Sequence, residues 1–156
     1  MSDIVTAEEG RYKLTTSGFF VWNQTDSSAL ILPDRKFIRP SVADFRQFFA
    51  ETWFEAYKYI KEVFDCEDFA IEAYAYPRQL YIIDLVAMFN AAVKKMQYDR
   101  KFEFPLFIGE GHGKIAGQDG HAANFAWCDD DSIQIAEPQN DRIRERTDDR
   151  CYFVRV

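Results

Sequence analysis

Clustered positive charge, long apolar runs and cysteine are all scarce in this chain. Lys and Arg number 19 against 26 Asp and Glu, a net charge of −7. Holding a phosphate backbone rests on clustered basic side chains that release counterions, so nucleic acid is not an expected partner. No stretch approaches the apolar length that a bilayer requires, and Met1-Ser2-Asp3-Ile4 has no basic segment leading into an apolar run. The expectation is a cytoplasmic protein without membrane association. Cysteines number 3, namely Cys66, Cys128 and Cys151, with no C-x-x-C pair. At least one thiol is therefore unpaired, which suits a reducing compartment; in an oxidising one, Cys128 and Cys151 are the candidates to pair. There is no internal repeat and no low-complexity tract. The glycine-rich run Gly109 to Lys114 lacks the G-x-x-x-x-G-K-[ST] spacing and leads into no helix, so a phosphate loop is not expected.

What is present is material for a core. Of 156 residues, 47% are hydrophobic and 17% aromatic, with 15 Phe. That is enough to fold as one domain without disulfide or metal staples. The expected fold class is α+β, in three parts: a β-rich segment over 1–40, helices over 41–98, and an antiparallel sheet over 105–156. In the first part, Gly18 to Trp22 and Ala29 to Leu32 read as a hairpin or two short strands around a polar cluster. Ser41, with Asp44 three residues on, resembles a capped helix start. The helix that follows carries Phe45, Phe48, Phe49, Trp53, Tyr57 and Ile60 along one stripe, the pattern of a core-facing surface. Asp65 is a candidate cap for a second helix stopping near Pro77. A third is expected from Tyr81 to Tyr98, with Leu85, Val86, Phe89, Val93 and Met96 inward. Beyond it, Pro105 to Ile108, His121 to Trp127, Ser132 to Ala136 and Tyr152 to Val156 read as strands. Asp141 to Arg150 alternates acids with arginines, the signature of a solvated loop or short helix.

The chemistry centres on Cys66. A thiol attacks carbonyls only as thiolate, and the unpaired amides of a helix N-terminus favour that anion. Asp65, Glu67 and Asp68 oppose it, so a positively charged partner is needed. His121, between Gly120 and Ala122 on a strand, can form the ion pair and later protonate a leaving group. A third group must hold the imidazole in the right tautomer. Alternation along Ile133 to Glu137 puts Glu137 on the face of Ile133 and Ile135, taken as the face toward the helices. Asn124, Gln139, Asn140 and Asp141 are the alternatives to it. Gln47, Trp53, Tyr57 and Tyr59 lie upstream as candidates for an oxyanion donor or cleft wall. His112 reads as a loop residue or a wall of the same cleft. A zinc set of Cys66, His112, His121 and Cys128 has ligand-type residues but no paired spacing, so neither metal nor cofactor is expected.

The run Asp65-Cys66-Glu67-Asp68-Phe69-Ala70, then Gly120-His121-Ala122, then Glu137-Pro138, resembles the transglutaminase-like branch of the papain-like cysteine hydrolases. In that family the patterns are a D-C-x-D-F-A helix start, a G-H-A strand start and an acid before proline, with Glu here where Asp is usual. The resemblance implies a papain-like core of helices packed on a C-terminal antiparallel sheet. It implies Cys66 as nucleophile, His121 as base and Glu137 as orienter. It also implies that the cysteine amide and an upstream polar or aromatic side chain stabilise the oxyanion.

Two functions follow as expectations. One is a cysteine hydrolase or acyltransferase acting on an amide or isopeptide bond of a peptide, protein or other amide substrate. The other is a small acidic protein using the scaffold to bind a partner, in the manner of a viral or mobile-element factor acting on a host protein.

Overall fold

The computed structural model describes residues 3–22, 28–51, 78–137 and 142–156; between Arg78 and Asp99, side chains are described for 86 and 88–99 only. The strands are β1 (Asp3–Thr6), β2 (Ala29–Ile31), β3 (Lys36–Arg39), β4 (Ile108–Ile115), β5 (Gln118–Trp127), β6 (Ile133–Glu137), β7 (Arg142–Glu145) and β8 (Arg150–Arg155). The helices are α1 (Ala7–Thr16), α2, which begins at 42 and runs to the edge of the described residues at 51, and α3 (Arg78–Asp99). Together they make a mixed α+β architecture.

Six strands form one sheet in the order β2-β8-β4-β5-β6-β7, and β1 with β3 forms a separate two-stranded ribbon. Every pairing in the large sheet is antiparallel except β2 with β8, which is parallel. The alternation of side chains along the strands sorts the core into two layers. Phe125 and Trp127 of β5, Ile133 and Ile135 of β6, and Val154 of β8 pack with Leu14 of α1, Phe19, Phe37 and Phe107. Ile108, Ala126 and Ala136, offset by one residue, pack instead with Phe45, Phe48 and Phe49 of α2 and Phe89 and Val93 of α3. One sheet face therefore meets α1, and the other meets α2 and α3. Trp127 Nε1 and Lys13 Nζ both donate to Asp131, at 2.9 and 2.6 Å, which fastens α1 to the β5–β6 turn.

Several expectations hold. Ser41 caps α2, its hydroxyl accepting the Asp44 N–H at 3.0 Å. Phe45, Phe48 and Phe49 are buried, as the stripe requires, whereas Trp53, Tyr57 and Ile60 lie outside the described residues. The helix expected from Tyr81 to Tyr98 is α3, and the helix expected after Asp65 lies outside the described residues.

Others need correction. Of the hairpin or two short strands expected for Gly18–Trp22 and Ala29–Leu32, the hairpin is not formed, while Ala29–Ile31 is the short strand β2. Phe20 makes a single bridge to Cys151, and β2 adds to β8. What precedes them is a helix, α1, started by Thr6. Its hydroxyl accepts the Glu9 N–H at 3.2 Å, and the Glu9 carboxylate returns to the Thr6 N–H at 2.7 Å. Thr6-Ala7-Glu8-Glu9 is the sequence signature of that reciprocal cap. Asp141–Arg150 is not only loop: Arg142–Glu145 is the edge strand β7, its pattern masked by the charges an exposed edge tolerates. His112 sits within β4 rather than in a loop. Among the described residues no helix is long and apolar enough to cross a membrane.

Candidate active site

His121 enters the sheet just after a tight hairpin. Ala116 and Gly117 both have positive φ, +51° and +74°, the requirement of the two-residue turn whose twist matches that of its strands. The left-handed conformation is uncommon for alanine. Here the turn is tied down by a bond from the Ala116 N–H to Asp149 Oδ1 at 2.9 Å. Gly120, at φ +67°, kinks the chain immediately before His121. From there β5 pairs regularly, His121 with Gly113, Ala123 with Gly111 and Phe125 with Gly109. The glycine column on β4 lets neighbouring groups approach closely: a Cβ at Gly111 would meet Cys151 Sγ and the Phe19 ring, and one at Gly113 or Gly109 would meet the β8 backbone.

Glu137 comes from the neighbouring strand. The β5–β6 register pairs Asn124 with Ala136. Continued by one residue, it sets Glu137 beside Ala123, diagonal to His121 and on the same face. Both side chains are buried, with 7% of His121 and 5% of Glu137 exposed. The two groups influence each other electrostatically. Burial pulls the imidazole below its ordinary pKa, the Glu137 carboxylate works against that by favouring the imidazolium, and the Arg144 guanidinium works with it.

Arg144, on β7, is diagonal to Glu137 in the β6–β7 register and donates to Glu137 Oε1 at 3.3 Å. It also makes two bonds to Asp149, at 2.6 and 2.8 Å. The Asp149 side chain is fully buried, and burial, which would raise its pKa, is outweighed by these bonds and by the Ala116 and Thr147 amides, leaving it at about 2. Neither Arg144 nor Asp149 stood out in the sequence, because both lie in a run of alternating charges that reads as solvated surface. The signal was available in retrospect: a strand period hidden in Arg142-Ile143-Arg144-Glu145 next to a predicted strand.

The face shared by His121 and Glu137 is that of Ile133 and Ile135, as expected, but it meets α1 rather than α2 and α3. Asn124 is excluded as orienter of His121 because it points to the opposite face, where its amide donates to Val86 O of α3 at 3.1 Å. His112 also lies on that opposite face, edge-on to Phe153 with centroids 5.1 Å apart and 3.9 Å from Glu110. Two imidazoles on opposite sides of a sheet cannot share one metal ion. Gln47 is exposed on α2 and donates to Glu51 at 2.9 Å. Cys66, Trp53, Tyr57 and Tyr59, and likewise Gln139, Asn140 and Asp141, lie outside the described residues.

The two other thiols are poor nucleophiles. Cys128 and Cys151 are buried and unpaired. Burial, followed by the neighbouring Asp130 and Asp129, pushes Cys128 up to about 12, and burial also raises Cys151.

The fold has a solved counterpart. A structure of a PSL1a–E64 complex superposes over 98% of this chain with a TM-score of 0.62 and 17% sequence identity. At that identity the likeness shows the fold alone. The chain spans about half, 51%, of the length of that structure's chain. No protein-family model matches the chain, and no curated protein does.

Proposed function

We propose that this chain is a cysteine hydrolase or acyltransferase with a papain-like, transglutaminase-like core, acting on an amide or isopeptide bond through Cys66, His121 and Glu137. The observation that carries the reading is the buried imidazole–carboxylate couple of His121 and Glu137, on one face of two adjacent strands. The Cys66 motif, the shared fold with a protein found in complex with E64, and the inertness of the other two thiols support it.

The chemistry runs as follows. His121 takes the thiol proton of Cys66, and the thiolate forms a bond to the substrate carbonyl carbon. The tetrahedral oxyanion collapses, the C–N bond breaks, and the imidazolium returns its proton to the leaving amine. The resulting thioester is cleaved by water in hydrolysis or by a second amine in transfer. Glu137 holds the imidazole and offsets part of the cost of charging it in a buried place. The substrate class is peptide, protein or another amide-bearing molecule, and the setting is a reducing cytoplasm.

The test is alkylation of the folded chain with iodoacetamide at neutral pH, followed by peptide mass mapping, with E64 as a second probe. Adducts at Cys66, and their suppression in His121→Ala, are expected. Equal labelling of all the cysteines in the folded protein, or a rate indifferent to His121, rules the reading out.

One observation favours a second reading. Arg144 neutralises part of the Glu137 charge, and burial disfavours the imidazolium, so the scaffold also suits an acidic, non-catalytic protein that binds a partner. Cys66→Ala discriminates: it leaves a binding activity intact and abolishes an enzymatic one.

A further inference from the structure

We propose that Asp149 and Arg144 act as a positioning pair for the imidazole–carboxylate couple, Asp149 fixing Arg144 and Arg144 fixing Glu137 against His121. The proposal rests on the cysteine-hydrolase reading for its consequence in catalysis, and on geometry alone for its structure.

A glutamate orienter has one more rotatable bond than an aspartate, so its carboxylate needs an external restraint to face an imidazole in one orientation. Arg144 supplies one through the 3.3 Å bond to Glu137 Oε1. A surface arginine would itself be mobile, and this one is not free to move. Asp149, with its side chain fully buried, takes both guanidinium nitrogens at 2.6 and 2.8 Å, the planar two-point contact that fixes direction as well as distance.

Asp149 is anchored in turn by the backbone, through the Ala116 N–H at 2.9 Å and the Thr147 N–H at 3.3 Å. Four donors fill the acceptor positions of one carboxylate. The decisive link is Ala116. It belongs to the β4–β5 turn, a few residues before His121 on the same hairpin. One buried carboxylate thus registers both halves of the couple, His121 through the hairpin turn and Glu137 through Arg144.

The arrangement has an electrostatic cost, because the Arg144 cation disfavours the imidazolium. Glu137 on β6, Arg144 on β7 and Asp149 before β8 lie on this side among the described residues, with Arg146 beside them, donating to Asp149 O at 3.0 Å and to Ser17 O at 2.7 Å. Removing Arg144 therefore has opposite effects on two observables. The imidazole becomes easier to protonate, while Glu137 loses the restraint that aims it.

The experiment uses the full chain with Arg144→Ala, Arg144→Lys and Asp149→Asn. The ring of His121 is titrated by NMR and told apart from His112 by a His112→Gln variant; alkylation of Cys66 by iodoacetamide is timed at pH 7. Arg144→Ala is expected to raise the His121 pKa and yet slow alkylation about tenfold, in the range typical of groups that orient a reactive ligand. Arg144→Lys keeps the charge, so the pKa stays near its original value, but the flat two-point contact is lost and alkylation still slows. Asp149→Asn, close in shape, covers the case in which Arg144→Ala does not fold, and is expected to slow alkylation without removing the arginine. A His121 pKa that does not move in Arg144→Ala, or an unchanged alkylation rate in Arg144→Lys and Asp149→Asn, overturns the proposal. If His121→Ala leaves alkylation unchanged, the cysteine-hydrolase reading fails instead, and the NMR titration still decides the positioning pair.

Discussion

His121 and Glu137 sit diagonally across β5 and β6 on one sheet face, both buried, with the carboxylate favouring the imidazolium and burial opposing it more strongly. On balance the imidazole pKa is lowered, burial being the largest cause. Proton transfer from a thiol creates a thiolate and an imidazolium together, and each charge favours the other.

Thiol reactivity should be confined to one residue. With Cys128 raised to about 12 and burial also raising Cys151, only Cys66 is expected to be alkylated in the folded chain at pH 8, and all of the 3 cysteines after unfolding in urea. Exposure alone could produce that count, so the pH dependence of the rate is the sharper measurement. Alkylation of Cys66 should persist below pH 7 in the wild type and retreat toward the ordinary thiol range, about pH 8.5, in His121→Ala. Identical profiles for the two proteins would exclude an ion pair.

Glu137→Gln retains the size of the side chain and removes its charge. Because that charge is what raises the imidazole pKa, the substitution should lower it further, and Cys66 alkylation at pH 7 should slow by about tenfold or more. A His121 titration that moves upward instead would show that the carboxylate is not the group acting on the ring.

Acid should weaken the fold through Asp149. Its folded pKa of about 2 lies below the unfolded value of about 3.9, so the unfolded state binds the proton first. The stability from this group is fully present above the unfolded pKa and is lost as pH falls from about 5 to about 2. The shift corresponds to about 2 to 3 kcal/mol at neutral pH. His121, also lowered, has the same sign at higher pH, stability falling as pH drops through about 6.5. Urea melts of wild type and Asp149→Asn should differ by about 2 kcal/mol at pH 7, with the gap shrinking toward pH 3. A gap independent of pH would mean that the charge is not the stabilising feature.

The β4 glycines should resist side chains, for different reasons. A Cβ at Gly111 would lie 2.7 Å from Cys151 Sγ and 3.3 Å from the Phe19 ring, an overpacking of about 1–3 kcal/mol. Cys151→Ala in the Gly111→Ala background should recover part of that loss, since the obstacle is a side chain. At Gly113, paired with His121, the obstacle is the backbone carbonyl of Arg150, and no second substitution there should help. Thermal melts of the single and double variants check both statements; equal recovery at the two positions would contradict the distinction.

Part of this was legible from local pattern. Ser41 and Asp44 marked the start of α2, three- and four-residue spacing marked the inward side of Phe45, Phe48 and Phe49, and the run from His121 to Trp127 read as a strand. Alternation correctly put Glu137 with Ile133 and Ile135. The strand β7 was not legible, because an edge strand needs no apolar face and its charges resemble those of a loop. The α1 cap was legible but sits on a helix with little apolar character, buried mainly through Leu14 and Gly10, so the 3.6-residue signal was faint.

By itself the sequence determined the residue types and the short-range geometry: capped helix starts, strand alternation, and a histidine and an acid at positions that two neighbouring strands can share. Those follow from backbone sterics and periodicity, which act over a few residues. Only the tertiary structure decided which layer each face meets, that Asn124 points away from His121, and that Arg144 and Asp149 join the couple. Such facts depend on strand register and on contacts between segments far apart in the chain, where a shift of one residue reverses every side chain.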